Sequence, residues 1–148
     1  MTAALLLILA TCGLLAEDIK NDAEEMKRLE GSWKLVSLEA GGKKGLSGEG
    51  RAFDKIVIAG GKLTMSNSPF TNLPVKIDAT QKPKSIDLLL PKEAGGKPWY
   101  GIYSLDGDEL KLCLIVVKKG EASDARRPDT FETKDKPLML LTLKREKQ

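Results

Sequence analysis

Hydrophobic and polar positions change rhythm twice along the chain. Residues 3 to 16 are uncharged and largely aliphatic, and the first charged side chains are Glu17 and Asp18. From Ile19 to Glu30, the apolar residues Ile19, Ala23, Met26 and Leu29 recur at spacings of four, three and three among charged neighbours. That spacing lines one face of a helix. Beyond Glu30 the chain breaks into short runs of aliphatic and β-branched residues separated by Gly, Pro, Asp and Asn, the signature of successive strands joined by turns.

Eight such runs are predicted: Ser32–Ala40, Phe53–Ala59, Lys62–Ser66, Pro74–Ala79, Ser85–Leu90, Trp99–Leu105, Glu109–Val117 and Leu138–Arg145. Gly60-Gly61 and Asp106-Gly107-Asp108 mark tight hairpins, because such residues take positive φ at little cost. Val75, Ile77 and Ala79 alternate with Lys76 and Asp78, and Met139, Leu141 and Leu143 share a face, so each of these strands buries one side. Eight antiparallel strands without long helices between them close most simply into an up-and-down barrel, which leaves no exposed edge; a two-sheet sandwich is the alternative. The expected organisation is a leader over 1–16, a short helical lead-in over 17–30 and an all-β barrel domain over 31–146.

The leader reads as a secretory signal peptide. Its 14 uncharged residues fall short of the roughly 20 that span a bilayer as a helix, and it ends in the small residue Ala16. Leu9-Ala10-Thr11-Cys12 is similar to a bacterial lipoprotein box, with Thr11 where that signal usually carries Gly, Ala or Ser. The expected address is therefore export to the periplasm, cell envelope or exterior, with membrane contact through the leader or a lipid on Cys12. Cleavage would leave Cys113 as the one cysteine of the mature chain, with no disulfide to form.

Composition narrows the chemistry. The 148 residues include no histidine, and the 24 basic and 21 acidic residues, net +3, are interleaved. Serine triads, Cys-His dyads and histidine-bearing zinc sites are thereby excluded, and no concentrated positive field invites nucleic acid. No metal or cofactor site is recognisable.

Gly31-Ser32-Trp33, following the helical segment, resembles the Gly-x-Trp signature at the barrel entrance of lipocalins. In that family a basic residue at the end of the last strand packs across the tryptophan, and Arg145 ends the last predicted strand here. Nearly all of the mature chain resembles a lipocalin-like domain family of unknown function, numerous in planctomycete bacteria. The residues carrying this are Leu29 to Glu39, Lys82 to Leu88, Gly101 to Cys113, Arg127-Pro128 with Phe131, and Leu141 to Arg145. The resemblance implies a secreted calycin-type barrel closed by Gly31, Trp33 and Arg145, and implies no particular activity or ligand.

Among candidate contacts, Ala125-Arg126-Arg127-Pro128-Asp129-Thr130-Phe131 puts two guanidinium groups and a ring on a long connection, where Arg126 and Arg127 can clamp a carboxylate or phosphate. The structural alternative pairs Arg127 with Asp129 or Glu132 and lets Phe131 pin the loop to the core. Tyr103 joins the candidate ligand contacts, while Trp99, at the start of the same strand, is placed at a rim. Cys113 reads as a small buried hydrophobe. Asp106, Asp108 and Glu109 belong to a turn, and Gly45 to Gly50 to a loop at the barrel mouth. The expectation is a non-enzymatic module holding a small apolar or amphipathic molecule in its barrel. A structural or protein-interaction domain of the envelope is second, and an enzyme without a nominated catalytic set is third.

Overall fold

The structure, a computed structural model, describes residues 12–45, 53–115 and 127–147. Its element order is α1 (Cys12–Leu29), β1 (Gly31–Ala40), β2 (Lys43–Gly45), β3 (Lys55–Ala59), β4 (Lys62–Met65), β5 (Leu73–Asp78), β6 (Lys84–Leu88), a 3₁₀ turn (Lys92–Ala94), β7 (Trp99–Asp106), β8 (Glu109–Ile115) and β9 (Leu138–Arg145). Every neighbouring pair is antiparallel, and β1 also pairs with β9, so β1 and β3 to β9 form a closed eight-stranded lipocalin-like barrel. Gly60 and Gly61, with φ of 57° and 71°, make the two-residue turn from β3 to β4, the backbone that matches strand twist.

Three differences from the sequence expectation have physical causes. The helix begins at Cys12 rather than near Glu17, because Leu14, Leu15 and Ala16 are good helix formers that continue the turn backwards. A ninth strand, β2, pairs with the end of β1 from Leu38↔Gly45 to Ala40↔Lys43. Its Lys43-Lys44-Gly45 sequence is exposed throughout and has no apolar alternation to reveal it; the backbone ladder to β1 places it. Thirdly, β1 carries a bulge between Leu35 and Ser37. Trp33 and Leu35 face inward, and the extra residue shifts the parity so that Leu38, opposite Leu141, joins the same core. Val36, at the bulge, is left half exposed.

The barrel interior is filled by its own side chains. Trp33, Ile56, Ile58, Leu63, Ile86, Leu88, Leu110, Leu112, Leu114, Leu141 and Leu143 have no accessible surface, and Leu35, Met65, Leu73 and Tyr103 have almost none. An eight-stranded barrel is just wide enough for this.

One end is covered by α1, whose Asp22, Glu25, Met26 and Leu29 lie on a single helical face. Met26 and Leu29 join the core, Asp22 Oδ1 accepts from the Ala79 amide at 2.8 Å, and Glu25 Oε1 accepts from Lys84 Nζ at 2.6 Å. At the same end Arg145 closes the barrel. Its guanidinium carbon lies 4.2 Å from the Trp33 ring centroid, its Nη1 and Nη2 donate to the Glu30 and Arg28 carbonyls at 2.7 and 2.6 Å, and Trp33 Nε1 donates to the Leu29 carbonyl at 2.8 Å. Gly31 is required there, because a Cβ would stand 2.8 Å from Arg145 Nη1.

The segment 127–137 crosses the outside of the barrel as a strap. Beneath it Ile102, Cys113, Ile115 and Leu138 form a second apolar cluster, with Phe131 and Leu140 packed on it. Thr133, fully buried, fixes the far end: its hydroxyl donates to Glu39 Oε1 at 2.6 Å and accepts from the Gly42 amide at 3.0 Å.

The clamp at Arg145 makes a direct prediction. Arg145→Lys keeps the charge but removes the planar fork that reaches both carbonyls and covers the indole. Urea denaturation should show a loss of about 2 kcal/mol, the scale of one charge-assisted hydrogen bond with a partly dry cation–π contact. An unchanged midpoint would contradict this assignment.

Candidate functional site

A cleft on the barrel wall can receive a molecule from outside, and a group of partly buried apolar side chains lies at the end of the barrel opposite α1. Strand alternation builds the first. On β6, Ile86 and Leu88 face the core, which turns Ser85 and Asp87 outward; on β7, Tyr103 faces the core, which turns Ile102 and Tyr100 outward. The register sets Ser85 beside Ile102 and Asp87 beside Tyr100. The β5–β6 connection, with its cis Lys82–Pro83 bond, rises on one side, and the strap arrives on the other. The resulting cleft of about 430 Å³ is lined by Asp78, Gln81, Lys82, Pro83, Ser85, Ile102, Arg127, Pro128 and Asp129.

Arg127 is held firmly at its edge. Its Nη1 lies 2.5 Å from Asp87 Oδ1, donates to the Gly101 carbonyl at 2.9 Å and reaches the Ile86 carbonyl at 3.4 Å. The guanidinium carbon sits 5.3 Å from the Tyr100 ring centroid. The ion-pair partner is thus Asp87 on β6, not Asp129 or Glu132 as the local sequence suggested. Folding carries the strap across to strands 40 residues away in sequence, and no local spacing reveals that. The Thr80 hydroxyl, followed by the Thr80 amide, holds the nearby Asp78 carboxyl below its ordinary 3.8, so it is ionised at neutral pH.

The other sequence candidates lie apart from this cleft. Tyr103 points into the barrel floor, almost fully buried, and its hydroxyl donates to Glu25 Oε1 at 3.4 Å. Burial, and then the Glu25 carboxylate, push its phenol well above the ordinary value. Phe131 packs on the outer cluster under the strap. Arg126, residues 1–11 of the expected leader, Val116-Val117 and most of the Gly45 to Gly50 loop lie outside the described residues. Cys12 begins α1. Ser85, Gln81, Pro83 and Ile102 escaped the sequence reading. The outward phase of the fifth predicted run, Ser85–Leu90, marks Ser85 as facing away from the core, but nothing in the sequence says what stands above it.

The mouth is ringed by Leu38, Phe70, Leu90, Trp99 and Met139, each partly buried and packed on the core. Phe70 and Trp99 meet with ring centroids 5.1 Å apart and planes inclined at 59°, a tilted contact favoured by their quadrupoles. Leu89, between the inward-facing Leu88 and Leu90, is 42% exposed.

Among the described residues no group of three or more Cys, Asp or Glu stands where it could hold a metal ion, and no helix is long and apolar enough to cross a membrane. Comparison with family models, with curated proteins and with solved structures finds no match for this chain.

Cys113 lies within β8. It is free and fully buried under the strap, with its thiol 3.7 Å from the Thr130 carbonyl, and burial raises its pKa from 9.0 to about 11. The folded protein should resist thiol reagents at pH 8 and react only on unfolding. Between about pH 9 and about pH 11 the unfolded chain releases this proton first, so stability falls as pH rises through that window. Comparing urea midpoints of the native chain with Cys113→Val isolates this component, and equal slopes would refute it.

Proposed function

We propose that this protein is an exported, non-enzymatic binding module that carries a small apolar or amphipathic molecule at the mouth of its barrel. The observation that carries the reading is the unequal treatment of the two ends. One is sealed by α1, Trp33 and Arg145, while the other presents half-buried aliphatic and aromatic side chains continuous with the core. Because the interior is packed with side chains, the bound molecule lies shallow, its apolar part on Phe70, Trp99 and Leu90. Sites of this kind combine an apolar lining with a few polar groups at the edge. The absence of histidine from the chain supports binding over acid–base chemistry.

Membership of the lipocalin-like family described above, and export directed by residues 1–16, belong to the same proposal. The Trp33–Arg145 contact supports the first. The uncharged run ending at Ala16 supports the second.

Trp99 offers the readout, since Trp33 is fully buried and Trp99 is not. Titration with lauric acid should shift tryptophan emission to the blue and saturate, and Trp99→Leu should abolish the shift. No emission change, together with no added mass on protein purified from its own host, would end this reading. Export is tested separately by the mass of that purified chain, which should begin at Glu17 or carry a lipid on Cys12; a chain retaining Met1 would count against it.

A further inference from the structure

We propose that the wall cleft between the β5–β6 connection and the strap is a second site, which takes a small zwitterion: an amino acid or short peptide carrying both a free carboxylate and a free ammonium group. It lies on a different surface from the mouth, so either site can fail without the other.

The first support is a donor edge left unspent. Arg127 makes all its protein hydrogen bonds through Nη1. The N–H groups on Nε and Nη2 have no acceptor among the described residues. The bonds to Asp87 and to two carbonyls, with the stacking on Tyr100, fix the guanidinium in place, so its free edge is held ready for a planar carboxylate.

The second support is Ser85. The residue is only 6% exposed and lines the cleft, yet its hydroxyl has no hydrogen-bond partner among the described residues. No wholly enclosed polar atom of the described residues is left unsatisfied, so this hydroxyl opens into the cleft rather than into the packed wall. A ligand oxygen there would complete it.

The third support is the charge balance, which selects the class of ligand. The cleft is lined by two cations, Arg127 and Lys82, and two carboxylates, Asp78 and Asp129. A simple anion would gain Arg127 but meet both carboxylates, and a simple cation would meet the reverse. Asp78 is already engaged by Thr80 and Gln81, whereas Asp129 is exposed and has no protein partner among the described residues, which makes it the acceptor for an ammonium group. A molecule with both charges satisfies Arg127 and Asp129 together. Ile102, Pro83 and Pro128 supply an apolar floor, and a cleft of about 430 Å³ has room for a dipeptide with aliphatic side chains.

The test uses the full chain labelled with ¹⁵N, titrated with leucyl-leucine, its N-acetyl form and its C-terminal amide. Saturable shifts at the Ser85 and Ile102 amides are expected with the free dipeptide. Each blocked form should bind about tenfold or more weakly, the cost of one charge-assisted contact. Arg127 also ties the strap to the wall, so the decisive variants are Ser85→Ala and Asp129→Asn, whose side chains make no bond that holds the strap. Both should weaken the dipeptide, with circular dichroism unchanged, and Asp129→Asn should leave the amino-blocked form unaffected. An N-acetyl form that binds as tightly as the free dipeptide would show a plain anion site and overturn the proposal, as would an amide that binds equally well. Absence of any shift at millimolar dipeptide would also overturn it.

Discussion

The guanidinium of Arg145 stands where three parts of the chain meet: the end of the last strand, the start of the first strand and the last turn of the helix. Its nitrogens take the Arg28 and Glu30 carbonyls, which the end of a helix leaves without intrahelical partners, and its flat face covers the Trp33 ring. One side chain therefore caps the helix, completes the apolar floor and ties the final strand to the first. Helix dipole, π-face attraction and hydrogen bonding all favour a cation at that point. The β1–β9 ladder, which extends from Trp33↔Arg145 to Ala40↔Met139, makes the sheet continuous, and the Arg145 contacts fix its register at one end.

With the interior occupied by its own side chains, the barrel leaves its outer wall and its ends as the surfaces another molecule can reach. The strap has a particular part in this. By burying Ile102, Cys113, Ile115 and Leu138 on the outside of β7, β8 and β9, it gives the wall a second apolar layer. Anchored at one end by Arg127 and at the other by Thr133, it also forms one side of a cleft that the strands alone would not make. Local polar residues decide where such a strap docks, and packing beneath it decides how firmly.

Much of the barrel was legible because its inward faces alternate strictly. Leu110, Leu112 and Leu114 on β8, and Met139, Leu141 and Leu143 on β9, show the period of two directly in sequence, and the Gly and Asp turns punctuate them. The bulge at Val36 was not legible, because an added residue looks like a lapse in alternation until the partner strand is known. β2 was not legible because Lys43-Lys44-Gly45 is exposed throughout and shows no apolar pattern. The contacts of Arg127 were beyond reach for a related reason: its acceptors on Ile86, Asp87 and Gly101 are near it only once the strap has folded over the wall. Tyr103 shows the converse, since a polar aromatic in an inward phase became a floor residue bonded to Glu25.

Closing the sheet on itself leaves little backbone for outsiders to pair with, and the exception is instructive. Among the described residues β2 pairs with β1 alone, and no described strand lies along its outer edge. That edge is three residues long and carries Lys43 and Lys44, both exposed. A second copy arriving edge-on would bring matching positive charges face to face, in a stretch too short for a ladder to outweigh their repulsion. The sequence that made β2 hard to recognise is thus the same one that disfavours edge-to-edge pairing there.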